Sequence, residues 1–281
     1  MQQGIKRNLI IIGAGLGLYG LYVLLMMVLG MELWVLLSTY ILIIAVAYFA
    51  NRKAIWSLRG NYFYLTGHME RARPLLQKAV NGGVKSPASH IYLALILMQA
   101  DGNTADAFRY LDRAIEVAKN PVDKRSATIA KATCYWMNKD AKKAISTLEE
   151  MRATQEYTNA PTMVSLGFLY MMDGDLENAI KTTNLAIEDE PEHAAAWDNL
   201  GQIRQKQGDT EGAKEAFTHA LSLRDTLADS NYFMGIISEG EGDKEAAAEY
   251  FRKAAISPIG FFNVVTQAQA DAKYEEYHPN G

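Results

Sequence analysis

A glycine-rich stretch near the start of the chain is the first candidate for chemistry. Gly15, Gly17 and Gly20 have the GxGxxG spacing with which dinucleotide-binding folds bring a backbone turn against a pyrophosphate. That use requires a strand before the glycines, an amphipathic helix after them, and an acidic residue about twenty positions later in a β-α-β unit. The residues that follow are apolar up to Glu32, and no alternation of strands and helices follows. The sequence therefore predicts no cofactor here.

Side chains that commonly bind metals or act as nucleophiles are scattered along the chain. Cys134 is the only cysteine, so no internal disulfide can form. The histidines show no pair at ligand spacing; they are His68, His90, His193, His219 and His278. The acidic runs Glu149–Glu150 and Glu188–Glu190 fall at predicted helix ends, which is typical of solvated surface. We predict no metal site, no catalytic residue and no enzymatic activity.

Charge is distributed unevenly along the sequence. Residues 8–31 and 33–51 contain no charged side chain. Setting aside the four basic residues and one acidic residue of the first 53 positions leaves 24 basic and 31 acidic residues, a net charge of −7. An acidic excess argues against nucleic acid as a partner, because nucleic-acid binding selects a basic face.

The first fifty residues predict a transmembrane helical hairpin. Residues 9–29 and 33–50 are apolar, and each would span about 27–32 Å as a helix, close to the thickness of a bilayer core. Gly30–Glu32 supplies the turn, and basic residues flank only the outer ends: Lys6, Arg7, Arg52 and Lys53. By the positive-inside rule both termini face the cytoplasm of a bacterial-type membrane. The alternative of a cleavable signal peptide fits less well, because the apolar run is long and a second one follows.

Small residues on the first apolar helix indicate a surface for close helix packing. Gly13, Gly17 and Gly20 lie on one side of that helix, and the first two have the small-xxx-small spacing. Two interpretations remain open: packing against the second apolar helix, or a homodimer formed within the membrane.

The sequence after the membrane segment repeats with a period of 34 residues. Several spaced positions match at that offset: Leu166 and Leu200, Gly167 and Gly201, Gly174 and Gly208, Asp175 and Asp209, Ala179 and Ala213, Ala186 and Ala220. In period and in these positions the chain resembles the tetratricopeptide repeat family. The resemblance covers about residues 54–258 in six units. It is looser in units two and three, and in unit three Lys139 replaces the turn glycine.

The resemblance implies an all-α protein whose helix-turn-helix repeats stack into a right-handed solenoid. We divide the chain into a two-helix anchor (1–52), the solenoid (53–258) and a C-terminal capping helix with a tail (259–281). The capping helix is predicted from apolar residues at helical spacing: Phe261, Val264, Val265, Ala268 and Ala272. A solenoid requires such a cover at its open end.

The resemblance also implies a site, because the concave face in this family holds an extended peptide or a helix of a partner. Reading the inward positions of units two to four gives an apolar set: Tyr92, Ile96, Ile129, Trp136, Met137, Val164, Phe168, Met171 and Met172. Methionine and aromatic side chains suit an apolar or amphipathic peptide or helix as ligand. The alternative is that these side chains pack against the solenoid itself or its capping helix.

Taken together, the sequence predicts a membrane-anchored scaffold that recruits or assembles partner proteins through this concave groove. Its expected partners are a protein segment and the lipid bilayer. Two alternatives remain. The repeats could lie outside the cytoplasm and serve envelope assembly or secretion, or they could form a regulatory subunit of a membrane enzyme complex.

Overall fold

The computed structural model describes residues 17–25, 27–30, 33–102, 104–154 and 159–277. All regular secondary structure in these ranges is helical. The helices are α1 (Leu33–Leu65), α2 (Met69–Asn81), α3 (Pro87–Asp101), α4 (Thr104–Val117), α5 (Pro121–Met137), α6 (Ala141–Ala153), α7 (Ala160–Asp173), α8 (Leu176–Asp189), α9 (Ala194–Lys206), α10 (Thr210–Leu223), α11 (Ala228–Gly240), α12 (Lys244–Ile256) and α13 (Gln267–Tyr277). Residues 17–25 and 27–28, ahead of α1, are also helical. Residues 9–16, with Gly13, and the tail 278–281 lie outside the described ranges.

Helix α1 joins the predicted membrane segment to the first repeat without a break. Its 33 residues correspond to about 50 Å of helix. The domain boundary predicted at residues 52–53 therefore falls inside one continuous helix. Among the described residues, one stretch is long and apolar enough to cross a membrane, and it lies within Leu37–Leu65. The first predicted span is described only in part, although the ring of Tyr19 lies 4.8 Å from that of Tyr40 on α1.

Helices α1 to α12 form six consecutive helical hairpins, as the repeat predicts. The first helix of each unit contacts the second, and the second contacts the first helix of the next unit. In five units the turn inside the hairpin ends on a glycine with positive φ, for example 86° at Gly174. In unit three Lys139 takes this conformation with a φ of 62°, and it is the one non-glycine residue in the described ranges to do so.

Close packing between the paired helices explains why glycine occupies the same position of the first helix in units five and six. A Cβ added to Gly201 would lie 2.5 Å from the ring of Phe217, and one added to Gly235 would lie 2.6 Å from the ring of Phe251. Both rings are fully buried. A side chain at these glycines would therefore push the two helices apart, which stacked hairpins cannot accommodate.

The C-terminal helix covers the end of the solenoid, but it begins later than its apolar spacing predicts. Helix α13 starts at Gln267, and Ala268 and Ala272 of the predicted stripe are exposed, whereas Ala270 is buried. Helix α13 packs on α12 and binds α11 through the Lys273 ammonium, 3.1 Å from the Glu239 carboxylate. The residues before Gln267 are not helical, because they bind elsewhere in the solenoid, as described next.

Candidate functional site

Between α12 and α13 the chain runs through a non-helical segment, Pro258–Val265, which we call the strap. The strap lies against the inner surface of the first helices of the repeats, which we call the groove. Phe261 packs against a buried apolar cluster drawn from units one to three, which also carries Tyr64, Tyr92 and Met137 at its surface. The strap thus reaches from the C-terminal end of the solenoid to an apolar cluster of its first three units.

The next two apolar residues of the strap bind the middle of the groove. Phe262 and Val264 pack against a buried apolar cluster that includes Phe168 and Met171, and Ile129 and Trp136 pack against the same cluster. The ring centroid of Phe262 lies 5.2 Å from that of Phe168, with the planes at 67°. Phe168 makes a second edge-to-face contact with Trp136 at 5.6 Å. Such pairs contribute about 0.5–1.5 kcal/mol each beyond the apolar area they bury.

A buried carboxylate binds the backbone of the strap. The backbone N–H of Val264 donates to Asp229 at 2.8 Å, and the N–H of Val265 donates to the other oxygen at 2.9 Å. Asp229 also accepts from Gln202 Nε2 at 3.1 Å and from the Asn263 side chain. Asp229 is only 1% exposed, so the strap provides donors to a charge that water does not reach.

Asp229 belongs to a buried polar cluster at the junction of units five and six. Gln202 Nε2 also donates to Asp198 at 2.8 Å, and Ser230 Oγ donates to the second oxygen of Asp198. Burial raises the pKa of Asp198 to about 7, and the neighbouring charge of Asp229 adds to that rise. Burial also raises the pKa of Asp229, against the opposing effect of its hydrogen bonds. Arg224 faces the pair and favours the ionised form of Asp198.

An open cavity of about 750 Å³ remains beside the strap. Its apolar wall includes Tyr64, Met137, Val164 and Phe168, and its polar wall includes Asp198, Asn199 and Arg224. Residues Pro258–Asn263 form one side of it. The groove therefore holds the strap without being filled by it.

The structure places the predicted groove residues at two depths. Ile96, Phe168 and Met171 are 1–2% exposed and belong to the core of the solenoid. The other six are half-buried: Tyr92, Ile129, Trp136, Met137, Val164 and Met172. The nine residues fall into three apolar clusters rather than one, and the strap contacts two of them, through Phe261 and through Phe262. Their role in binding a partner stays a prediction.

The glycine face of the first apolar helix is described only at Gly17 and Gly20. Among the described residues, a Cβ added at either position would meet nothing within 4 Å. A role for these glycines in helix packing also stays a prediction.

Sequence reasoning missed the strap and the acidic pair that it reaches. Both acids occupy inward positions of their repeats, and neither was predicted as a site residue. The sequence contains one signal for this pair: acidic residues at inward positions of consecutive repeats. Such residues face each other across adjacent first helices.

The described residues offer little for covalent or metal chemistry. No group of three or more His, Cys, Asp or Glu residues in these ranges is arranged to hold a metal ion. Cys134 is buried, and burial raises the pKa of its thiol to about 12, which keeps it protonated and unreactive at neutral pH. What the site offers is an apolar floor and a backbone-binding carboxylate.

Comparisons with known proteins agree with this geometry. Residues 194–227 and 228–255 each match a family model described as the tetratricopeptide repeat. The chain contains tetratricopeptide repeats. These matches cover units five and six. The search of curated proteins found no match.

Solved structures extend the likeness to most of the chain. A tetratricopeptide repeat protein from Parabacteroides merdae ATCC 43184 is 15% identical, with a TM-score of 0.65 over 81% of this chain and 84% of that one. PilW, described as a widely conserved type IV pilus biogenesis factor, is 15% identical, with a TM-score of 0.57 over 72% of this chain and 91% of that one. The structure of the APC/C hetero-tetramer Cut9-Hcn1 is 17% identical, with a TM-score of 0.60 over 80% of this chain and 42% of that one. At these identities the likeness shows the fold, and it confirms the predicted all-α repeat solenoid.

Proposed function

We propose that this protein is a membrane-anchored scaffold that holds a partner protein in its groove. The observation that supports the proposal is the strap, because this non-helical segment lies in the groove with apolar side chains against its inner surface. Tetratricopeptide repeats serve in general as binding surfaces rather than catalysts, and the proposed activity is accordingly non-covalent. The proposed contact residues are those predicted from the sequence: Tyr92, Ile96, Ile129, Trp136, Met137, Val164, Phe168, Met171 and Met172.

The proposed anchor consists of the apolar stretches 9–29 and 33–50. Side chains along α1 support it, since Ile41, Leu42 and Phe49 are 61–66% exposed, and lipid would remove this apolar surface from water. Arg52 follows the apolar stretch, and its guanidinium lies 5.9 Å from the ring centroid of Trp56. Because α1 continues into the first repeat, the solenoid would be held next to the bilayer in a fixed orientation.

The proposed location of the repeats is the cytoplasm, with both termini on that side. Protease treatment of intact spheroplasts tests this. We expect residues 54–281 to survive until the cells are lysed. Cleavage of the repeats without lysis would instead favour a role outside the cytoplasm, in envelope assembly or secretion.

Two tryptophans provide a matched test of the groove. Trp136 lies in the groove against Phe168, whereas Trp197 lies away from it, with Nε1 donating to the Pro191 carbonyl at 2.7 Å and its ring beside His219. The full chain would be purified from membranes, and the proteins that co-purify would be identified and quantified.

We expect Trp136→Ala to reduce capture of the partner by about tenfold or more, which corresponds to about 1.4 kcal/mol. Trp197→Ala should leave capture unchanged. Equal capture by wild type and Trp136→Ala, with both proteins folded by circular dichroism, would contradict the proposed binding face.

A further inference from the structure

The strap contacts the groove as a bound peptide would. We infer that it is an internal ligand of the groove, and that the partner is a non-helical peptide of the same chemistry, with two adjacent large apolar side chains and two consecutive backbone N–H groups that donate to Asp229. This inference rests on the proposed function and names the partner class for it. The partner must therefore displace the strap in order to bind.

Recognition of side chains comes from the two adjacent phenylalanines. Phe261 and Phe262 are neighbours in sequence but pack against different clusters, one in units one to three and one centred on Phe168. Both are half-buried, so neither is locked into the core as Phe168 is. Consecutive side chains diverge in this way from the non-helical turn at Phe261 and Phe262, whereas the side chains on one face of a helix are spaced three or four residues apart.

Recognition of the backbone comes from Asp229. Its two oxygens accept from the consecutive amides of Val264 and Val265, which is a contact independent of side-chain identity. In the interior of a helix both amides would already be bonded within the helix, so only its first turn could offer them. The carboxylate therefore favours a non-helical peptide over the interior of an amphipathic helix.

The strap forms a compact turn next to open space. Its turn is closed by its own atoms, because Asn263 Oδ1 accepts from the Gly260 N–H at 2.6 Å. The cavity of about 750 Å³ runs beside residues 258–263, so an incoming peptide has room to enter before the strap has left. Because the strap is tethered at both ends, its effective concentration in the groove is high, in the millimolar range for short linkers, and a weak contact suffices to compete.

A synthetic peptide of residues 258–266, labelled with a fluorophore, is the probe that tests this inference. It would be titrated by fluorescence anisotropy against the full chain in detergent or nanodiscs. In Phe261→Ser/Phe262→Ser the internal competitor is weakened, so we expect this variant to bind the peptide at least tenfold more tightly than wild type does. Adding Asp229→Asn to that variant should weaken binding at least tenfold. A peptide with both phenylalanines replaced by serine should not bind.

Two further variants protect the test against a folding defect. Val264→Pro removes one N–H that Asp229 accepts and leaves the phenylalanines in place, so it should also tighten peptide binding. Ile256→Ser is the matched control, since Ile256 is a large apolar residue next to the strap that is 71% exposed. It should bind the peptide no better than wild type.

The outcomes separate this inference from the proposed function. If neither the double variant nor Val264→Pro binds the peptide while both remain folded, the strap is not an internal ligand. If Trp136-dependent capture of a partner persists in that case, the scaffold proposal stands alone. If capture is absent as well, both are wrong.

Discussion

Replacing Asp229 by asparagine should release the strap from the groove while leaving the solenoid folded. The carboxylate accepts four hydrogen bonds, two from strap amides, one from Gln202 and one from the Asn263 side chain. Asparagine has almost the same shape but only one oxygen, and its NH₂ group would face a donor. At least two of the four donors would therefore lose their acceptor.

The expected size of the effect follows from a balance of two terms. A hydrogen bond to a charged group contributes about 1.5–3 kcal/mol, and a buried donor left without a partner costs about 1–3 kcal/mol. Against this, removing one of two buried carboxylates relieves the repulsion that raises the pKa of Asp198. The strap can escape its unpaired donors by leaving the groove, so we expect the free energy of strap opening to fall by roughly 1.5–3 kcal/mol.

Amide hydrogen exchange measures that opening directly. At 1.4 kcal/mol for each factor of ten, exchange at Val264 and Val265 should accelerate about 10- to 150-fold in Asp229→Asn. Amides in α9 should keep their protection. Asp225→Asn serves as the matched control, because Asp225 is an exposed acid near the same site. Unchanged exchange at Val264 and Val265 in Asp229→Asn would refute the assignment of Asp229 as the group that holds the strap.

Three further predictions concern the solenoid itself. Lys139→Gly should raise the free energy of unfolding by about 1 kcal/mol in urea titrations, because glycine adopts the positive φ without strain. As a control, Lys142→Gly in α6 should lower the free energy of unfolding by a similar amount, because glycine is unfavourable in a helix. Gly201→Ala should lower the melting temperature, since a Cβ placed 2.5 Å from the Phe217 ring costs about 1–3 kcal/mol of overpacking, more than the helix propensity that alanine adds. The folded state raises the pKa of Asp198 from 3.8 to about 7 and so binds that proton more tightly than the unfolded chain does. The free energy of unfolding should therefore fall as pH rises from about 4 to 7, by at most about 1.4 kcal/mol per pH unit, and Asp198→Asn should flatten that slope; equal slopes in the two proteins would contradict the assignment.

The repeats could be predicted because their signals are local. Each turn depends on a glycine in the left-handed conformation, and each helix pair depends on a small residue opposite a large one, as at Gly201 and Phe217. Even the substitution at Lys139 was visible, although its positive φ was not. Such features lie within one 34-residue unit, so the sequence of that unit contains what decides them.

The strap could not be predicted in the same way. Its apolar residues Phe261, Val264 and Val265 have helical spacing, and that local pattern favoured a helix. The decisive contacts are long-range: Asp229 lies 35 residues before Val264, and Phe168 lies in another repeat. No pattern within the segment indicates that a buried carboxylate will accept its amides.

Site-specific photocrosslinking from Val164 in intact membranes tests the central claim most directly, because Val164 is half-buried and lines the cavity between the groove and the strap. A photoreactive residue there should form an adduct with a second polypeptide, and Trp136→Ala should reduce its yield. The same probe should also crosslink to residues 258–263 of the strap, and this internal product should decrease as the partner adduct increases. If the probe reaches only the strap under every condition in which the partner is present, the groove is a permanently filled core and the proposed binding site is wrong.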